Sequence, residues 1–247
     1  MANTALAVLE SALRAKKLDR TLTTALPPLE RTDAAALAAT DIAALDACLR
    51  GGLPRGHLSE ITGACSSGRT TFLLSALAAA TARGEIAAVV DTFDRLDVAS
   101  LVASGADLDR VLWVRGDACT TAQATLVERG IDRALKAVNL VLQAGGFGLV
   151  ALDFADVPLA ALKRIPFTTW LRIQRACEGS ETACVLLAPQ PTARSAGGVT
   201  VTLAGAAAWA GDSDRSRRFD GLTVAARVVS PRRKVEGNVS VRCTAHN

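Results

Sequence analysis

Gly63-Ala64-Cys65-Ser66-Ser67-Gly68-Arg69-Thr70-Thr71 follows an apolar run carried by Leu58 and Ile61 and precedes Phe72, Leu73, Leu74 and Leu77, which share one side of a helix. Two glycines five positions apart with hydroxyl residues beside them form the pattern of a phosphate-binding loop, G-x-x-x-x-G-K-[ST]. The glycines let the backbone wrap an anion, and a helix opening near Gly68 aims unpaired N–H groups and the positive end of its dipole at it. Arg69 stands where the pattern has lysine. Its guanidinium keeps the charge but is a larger planar fork, so it is no direct substitute for a compact ammonium in the same cavity. Thr70 still offers a hydroxyl of the kind that holds magnesium, and the backbone cradle needs no side chain. Gly63, Ser66, Ser67, Gly68, Arg69, Thr70 and Thr71 are thus the candidate nucleotide site, with ATP and Mg2+ as weak or vestigial ligands. The competing reading is a glycine-rich strand-to-helix turn that binds nothing.

Upstream of the loop, residues 2–18 carry Leu6, Leu9 and Leu13 at helical spacing, and Thr21 to Ala39 contains Pro27-Pro28 and reads as a linker. Residues 1–39 are therefore expected to be an arm and 40–247 the body. The arm's apolar stripe is the candidate partner-binding surface, because an isolated helix of this length is marginal in water and must pack on something. In the body, Asp41 is a candidate cap for a helix with Ile42, Leu45 and Leu49 on one face, stopped by Gly51-Gly52-Leu53-Pro54-Arg55-Gly56. Downstream, Ile86 to Val90 reads as a strand ending in Asp91, Leu96 to Ser104 as a helix and Val111 to Val114 as a strand. Thr120 to Ala144 reads as a long helix with Leu126, Ile131, Leu135, Val138 and Leu142 on its apolar side. Gly148 to Asp153 and Cys184 to Ala188 are further strands, separated by a helix over Thr168 to Cys177.

This alternation predicts an α/β fold with a mostly parallel central sheet flanked by helices. Val199, Val201 and Leu203, then Leu222, Val224 and Ala226, then Val239, Val241 and Cys243 alternate with other residues, which predicts antiparallel strands at the C-terminal end.

With 247 residues, half of them apolar, the chain can bury one large core. No apolar run approaches the ~18 residues of a membrane helix and no export pattern opens the chain, so a cytoplasmic protein without membrane contact is expected. Six scattered cysteines with no C-x-x-C pair, and only His57 and His246 for imidazole, argue against zinc. The net charge of +4 is mild, but Arg215, Arg217 and Arg218 form one basic group and Arg232, Arg233 and Lys234 another. They are the candidate DNA contacts, weak and salt-sensitive, against the alternative of solvated loop charge.

In a phosphate-loop protein a carboxylate closing a neighbouring strand positions magnesium through water, which makes Asp153, with Thr70, the candidate metal residues. The segment Leu45-Asp46-Ala47-Cys48-Leu49-Arg50-Gly51-Gly52-Leu53-Pro54-Arg55-Gly56, then Glu60-Ile61-Thr62-Gly63 and Ser66-Ser67-Gly68-Arg69-Thr70-Thr71, resembles the core of bacterial RecA recombinases. Val89-Val90-Asp91, Leu96-Asp97 and Asp107-Leu108-Asp109 continue the likeness, which spans roughly 40–205. The resemblance implies a RecA-like P-loop core with an N-terminal helical arm by which subunits dock on their neighbours.

It also locates departures. Phe93 falls where the family places the water-activating glutamate, and a phenyl ring neither orients nor deprotonates water. Ser100 falls where an aromatic stacks on adenine, and Gln190 matches the glutamine that senses the terminal phosphate and leads into a DNA loop, here short. A chain that keeps the body and loses lysine, glutamate, aromatic and loops is similar to the ImuA group. That likeness implies a hydrolysis-deficient accessory of damage-induced translesion synthesis in the SOS response, with a polymerase-like ImuB-type partner, and RecA or a second copy as further candidates. The alternatives are an active DNA-dependent ATPase or recombinase, and a RecA-derived cell-division inhibitor of the SulA type.

Overall fold

The computed structural model describes residues 36–118, 123–193, 197–213, 215–230 and 235–244. The leading helix with Leu6, Leu9 and Leu13, and the linker up to position 35, lie outside them. The apolar runs of the middle of the chain become strands and the 3.6-periodic runs between them become helices. In order these are β1 (Leu37–Ala38), α1 (Ala43–Cys48), β2 (Leu53–Pro54), β3 (His57–Gly63), α2 (Arg69–Ala82), β4 (Ile86–Asp91), α3 (Val98–Ala103) and β5 (Val111–Arg115). There follow α4 (Ala124–Ala144), β6 (Phe147–Asp153), α5 (Leu159–Leu162), α6 (Phe167–Cys177), β7 (Ala183–Ala188), β8 (Thr200–Ala210), β9 (Arg218–Ser230) and β10 (Val235–Thr244).

Eight strands form one sheet in the order β10-β9-β8-β3-β7-β6-β4-β5. From β8 to β5 every neighbouring pair is parallel, while β9 and β10 add antiparallel strands at one side, as the alternating pattern of the last third predicts. One apolar layer joins α1, α2 and α3 to a face of the sheet through residues such as Leu77, Leu101 and Ile61. A second joins α4 and α6 to the other face through Val138, Ile173 and Leu186. Strands buried on both faces explain why Ala87 to Val90 and Ala183 to Ala188 read as continuous apolar runs.

Three local expectations are corrected. Asp41 does not cap α1: it has a φ of 63°, and the Asp46 carboxylate instead accepts the Thr40 and Asp41 N–H groups at 3.0 and 3.1 Å and the Thr40 hydroxyl at 2.8 Å. On α4 the inward line is Val127, Ile131, Leu135, Val138 and Leu142, whereas Leu126 is 37% exposed, because Val127 is the residue one turn before Ile131. The linker expected to run to Ala39 ends earlier, since Leu37 and Ala38 pair antiparallel with Pro54 and Leu53.

Candidate nucleotide-binding site

β3 carries Gly63 to the C-terminal edge of the parallel strands and α2 begins at Arg69, so the quoted stretch is the strand-to-helix loop its pattern predicts. Ser66 and Gly68 take φ values of 58° and 96°. A left-handed residue in such a turn lets successive N–H groups converge on an anion. The first helical bond runs from Phe72 N to Gly68 O at 2.9 Å, so the amides of Arg69, Thr70 and Thr71 form the open first turn of α2. Gly68 is required twice over: its φ disfavours a side chain, and a Cβ there would stand 2.8 Å from Val224 Cγ2 of β9.

Ala64, Cys65, Ser66, Thr70 and Thr71 are exposed, which leaves the outer side of the loop open. Ser67 is buried and its hydroxyl has no hydrogen-bond partner. An unpaired buried hydroxyl costs about 1–3 kcal/mol; this one lies against Gly63, where an added Cβ would stand 2.4 Å from it. The backbone therefore fits a phosphate.

The side chains fit its chemistry less well. Arg69 is buried and its Nη1 donates to the carbonyl oxygen of Ala155 at 2.9 Å, so the cation at the lysine position spans from the loop to the segment after β6. Asp153 closes β6 in register with Asp91 of β4. Burial pushes the Asp153 carboxyl up to about 6; the Ala155 N–H, 2.8 Å from it, opposes the rise, the charges of Asp91 and Asp156 add to it and Arg69 reduces it. The parallel register places Asp153 opposite Leu187 of β7, itself opposite Ile61 of β3, so β6 ends at the same edge of the sheet as the phosphate loop. Among the described residues no three His, Cys, Asp or Glu side chains gather as metal ligands. Thr70 is exposed at the start of α2, and Asp153 and Asp91 end neighbouring strands at this edge of the sheet.

Phe93, just past β4, is buried and turned into α4: a Cβ on Gly130 would stand 3.2 Å from its Cε1. The position is part of the second apolar layer. Ser100 sits on α3 and its hydroxyl donates to Asp97 Oδ2 at 2.5 Å, within the cap of that helix. Gln190 is exposed just beyond β7, which runs parallel to β3 with Ala188 opposite Thr62, so it emerges at the same edge as the phosphate loop.

What holds that edge together is Glu60, a residue the sequence marks only as part of a motif. Its carboxylate is buried in the middle of β3, and Oε1 accepts the Thr192 and Ala193 N–H groups, each at 2.7 Å. The segment after Gln190 is thereby tied to the strand that carries the loop. Burial of Glu60 among apolar neighbours is the signal that a single sequence hides. Asp91 has a comparable task, accepting from Arg95 N at 2.9 Å, Leu96 N at 2.8 Å and Trp113 Nε1 at 3.2 Å.

Of the two basic groups the structure describes one. Arg215, Arg217 and Arg218 are exposed at the β8–β9 turn. Arg232, Arg233 and Lys234 lie outside the described residues, but Ser230 and Val235, which flank them, stand at the other end of β9 from Arg218. At ~3.3 Å per residue those ends are roughly 40 Å apart. No helix among the described residues is long and apolar enough to cross a membrane.

Residues 12–155 match the model of the RecA N-terminal domain. The chain is similar to Protein RecA of Mycobacterium ulcerans, 37% identical over 123 residues, which is 49% of this chain and 32% of the relative. Protein RecA of Nostoc punctiforme is 36% identical over 121 residues, 48% of this chain and 30% of the relative. Protein RecA of Synechocystis is 45% identical over 73 residues, 30% of this chain and 21% of the relative. The aligned stretch thus spans about a third or less of the length of these relatives, and the family match over residues 12–155 includes the phosphate loop.

Proposed function

Because the chain belongs to the RecA N-terminal domain family, we propose that it is a hydrolysis-deficient RecA-like accessory protein of damage-induced translesion synthesis, of the ImuA kind, acting in the cytoplasm by binding a polymerase-like partner of the ImuB type. One observation carries this reading: the two positions on which turnover depends are both spent on the fold. Arg69 is bonded to the Ala155 carbonyl, and Phe93 is packed into the core against α4. Neither can change role without breaking a contact of the native state, so ATP and Mg2+, if taken up by the backbone cradle, serve as structural ligands. When bound, the nucleotide would supply a polyphosphate held by the amides of Arg69, Thr70 and Thr71.

The amino-terminal stripe of Leu6, Leu9 and Leu13 is the docking element of this proposal, for the polymerase-like partner or for a second copy. The test has two arms. ATP hydrolysis is measured with and without single-stranded DNA, and capture of a purified ImuB-type protein is measured with and without ATP. Background turnover with nucleotide-independent capture supports the proposal. DNA-stimulated turnover at a recombinase's rate, with no capture, replaces it by the reading of an active ATPase.

A further inference from the structure

α4 and α6 share the second apolar layer, and an open groove runs along the outer side of the place where they meet. Glu128, Ile131, Leu135 and Asn139 recur every three or four residues along α4, so they form one wall as a single stripe. Arg164, Ile165, Thr169 and Arg172, from the turn after α5 and from α6, form the other. The groove has a volume of about 750 Å3. It follows α4 from Glu128 to Gln143, roughly 22 Å at ~1.5 Å per residue. Ile131, Leu135 and Ile165 make it apolar inside, and Leu140 at its rim is 67% exposed.

One atom of this stripe is unsatisfied. Asn139 Nδ2 donates to the Leu135 carbonyl oxygen at 2.8 Å, while Oδ1 is buried without a hydrogen-bond partner among the described residues. A buried acceptor left without a donor costs stability, and native chains hold few of them. A donor brought into the groove at Asn139 removes that cost.

The charges of the walls set the sign of what fits. Arg164 Nη1 donates to Glu128 Oε1 at 2.8 Å, so these two are spent on each other across the groove. The remaining lining charges are Asp132 against Lys136 and Arg172, all three exposed, which leaves the unbridged part net positive. A segment that fills the groove therefore carries aliphatic side chains for its interior, a donor for Asn139 and carboxylates for Lys136 and Arg172. A straight groove about four helical turns long suits a helix presenting residues at i, i+3, i+4 and i+7. The chain's own amino-terminal stripe has the leucines but the opposite charge, since within residues 2–18 Arg14, Lys16 and Lys17 stand against Glu10 alone.

We propose that the groove between α4 and α6 is a docking site for an acidic amphipathic helix of another protein. This goes beyond the accessory role and uses neither the phosphate loop nor the amino-terminal arm. Leu140 and the interior take the apolar face of the incoming helix, and Lys136 and Arg172 take its carboxylates.

The test titrates the full chain against three fluorescently labelled peptides, read by anisotropy at low and moderate salt. The first, of about 16 residues, carries leucines at i, i+3, i+4 and i+7 with glutamates and glutamines beside them. The second has lysines in place of the glutamates, and the third is residues 2–18 of this chain. The acidic peptide is expected to bind at least ~10-fold more tightly than the other two. Leu140→Glu is expected to weaken it by ~10- to 100-fold, and Asn139→Leu by ~2- to 10-fold. Lys136→Glu combined with Arg172→Glu should reverse the preference toward the lysine peptide. If Leu140→Glu fails to fold, the charge reversal decides, because both of its positions are exposed. Unaltered affinity in Leu140→Glu and in the charge reversal overturns the proposal, as does tighter binding of the residue 2–18 peptide. So does a dimer, seen by light scattering, that Leu140→Glu disperses while no peptide binds, since the groove then belongs to a second copy. Capture of the polymerase-like protein is measured separately, so failure here leaves the proposed accessory function standing.

Discussion

The Arg69 guanidinium donates to the carbonyl oxygen of Ala155 at 2.9 Å, joining the first residue of the helix after the phosphate loop to the segment that follows Asp153. The bond is made by a buried side chain, and it sets the cation of the loop on the protein's own backbone. Asp153 feels the same guanidinium, so a single residue links the loop, the end of β6 and the one strongly shifted carboxylate near them.

Arg69→Lys is expected to leave ATP turnover at background, because the shorter, non-forked cation restores one phosphate contact and still lacks a group to activate water. A steady-state phosphate-release assay with single-stranded DNA checks this. Recovery of a recombinase-like rate in the single variant would mean that the water is activated by a residue other than the one at position 93.

Phe93→Glu, the substitution that family likeness suggests for restoring a base, should cost stability instead. The side chain sits in the apolar layer, its Cε1 3.2 Å from where a Cβ on Gly130 would stand. Truncating a buried Phe to Ala typically costs about 3–5 kcal/mol, and an unpaired buried acid is at least as unfavourable. Urea melts of Phe93→Ala and Phe93→Glu, both far below the parent midpoint, are the expected result. A parent-like midpoint for Phe93→Glu would show that the ring can turn out of the core.

Asp153 gives a pH dependence of definite sign. Its native pKa, about 6, lies above the ordinary value of 3.8, so between the two the native state holds a proton that the unfolded chain has released. The stability this group contributes is full below about pH 4, is lost as pH rises through about 6 and stays lost above. Asp153→Asn keeps an oxygen for the Ala155 N–H and removes the charge. Its melting temperature should match the parent near pH 4 and exceed it near pH 8, in melts taken at about pH 4, 6 and 8. A variant less stable than the parent at pH 8 would mean that the Arg69–Asp153 attraction outweighs burial.

Glu60→Ala should destabilise by roughly 2–5 kcal/mol, since it leaves the Thr192 and Ala193 N–H groups without their acceptor. Glu60→Gln, which retains one acceptor oxygen, should cost less. Hydrogen exchange at Thr192 and Ala193 distinguishes a local release from global unfolding: the expected pattern is fast exchange at those two amides with the core of β7 still protected.

Leu9→Glu, in the centre of the amino-terminal stripe, is expected to abolish self-association and capture of the polymerase-like protein while the melting curve stays that of the parent. Light scattering and co-purification read the two effects. A chain that keeps every association, or that fails to fold, would assign the stripe to the body's own core.

The order of the longer strands and helices from Leu45 to Ala188 was legible, though not the two-residue β2 or the four-residue α5, because each longer element carries its own period and its own punctuation, and the phosphate loop because its glycines are demanded by backbone geometry. The antiparallel pattern at the end was legible for the same local reason. What sequence could not decide was where each side chain spends its hydrogen bonds and which residues meet across the sheet. Nothing in the run around Arg69 announces Ala155, 86 positions away, and nothing in Glu60 announces Thr192. The exposure of Trp209 and Phe219 follows from a hairpin longer than the strands that flank it, a difference of register visible only once β3 and β10 are in place. Local periodicity is a property of neighbours in the chain, and it set the elements; partner choice depends on distances closed by folding, and only the tertiary structure set those.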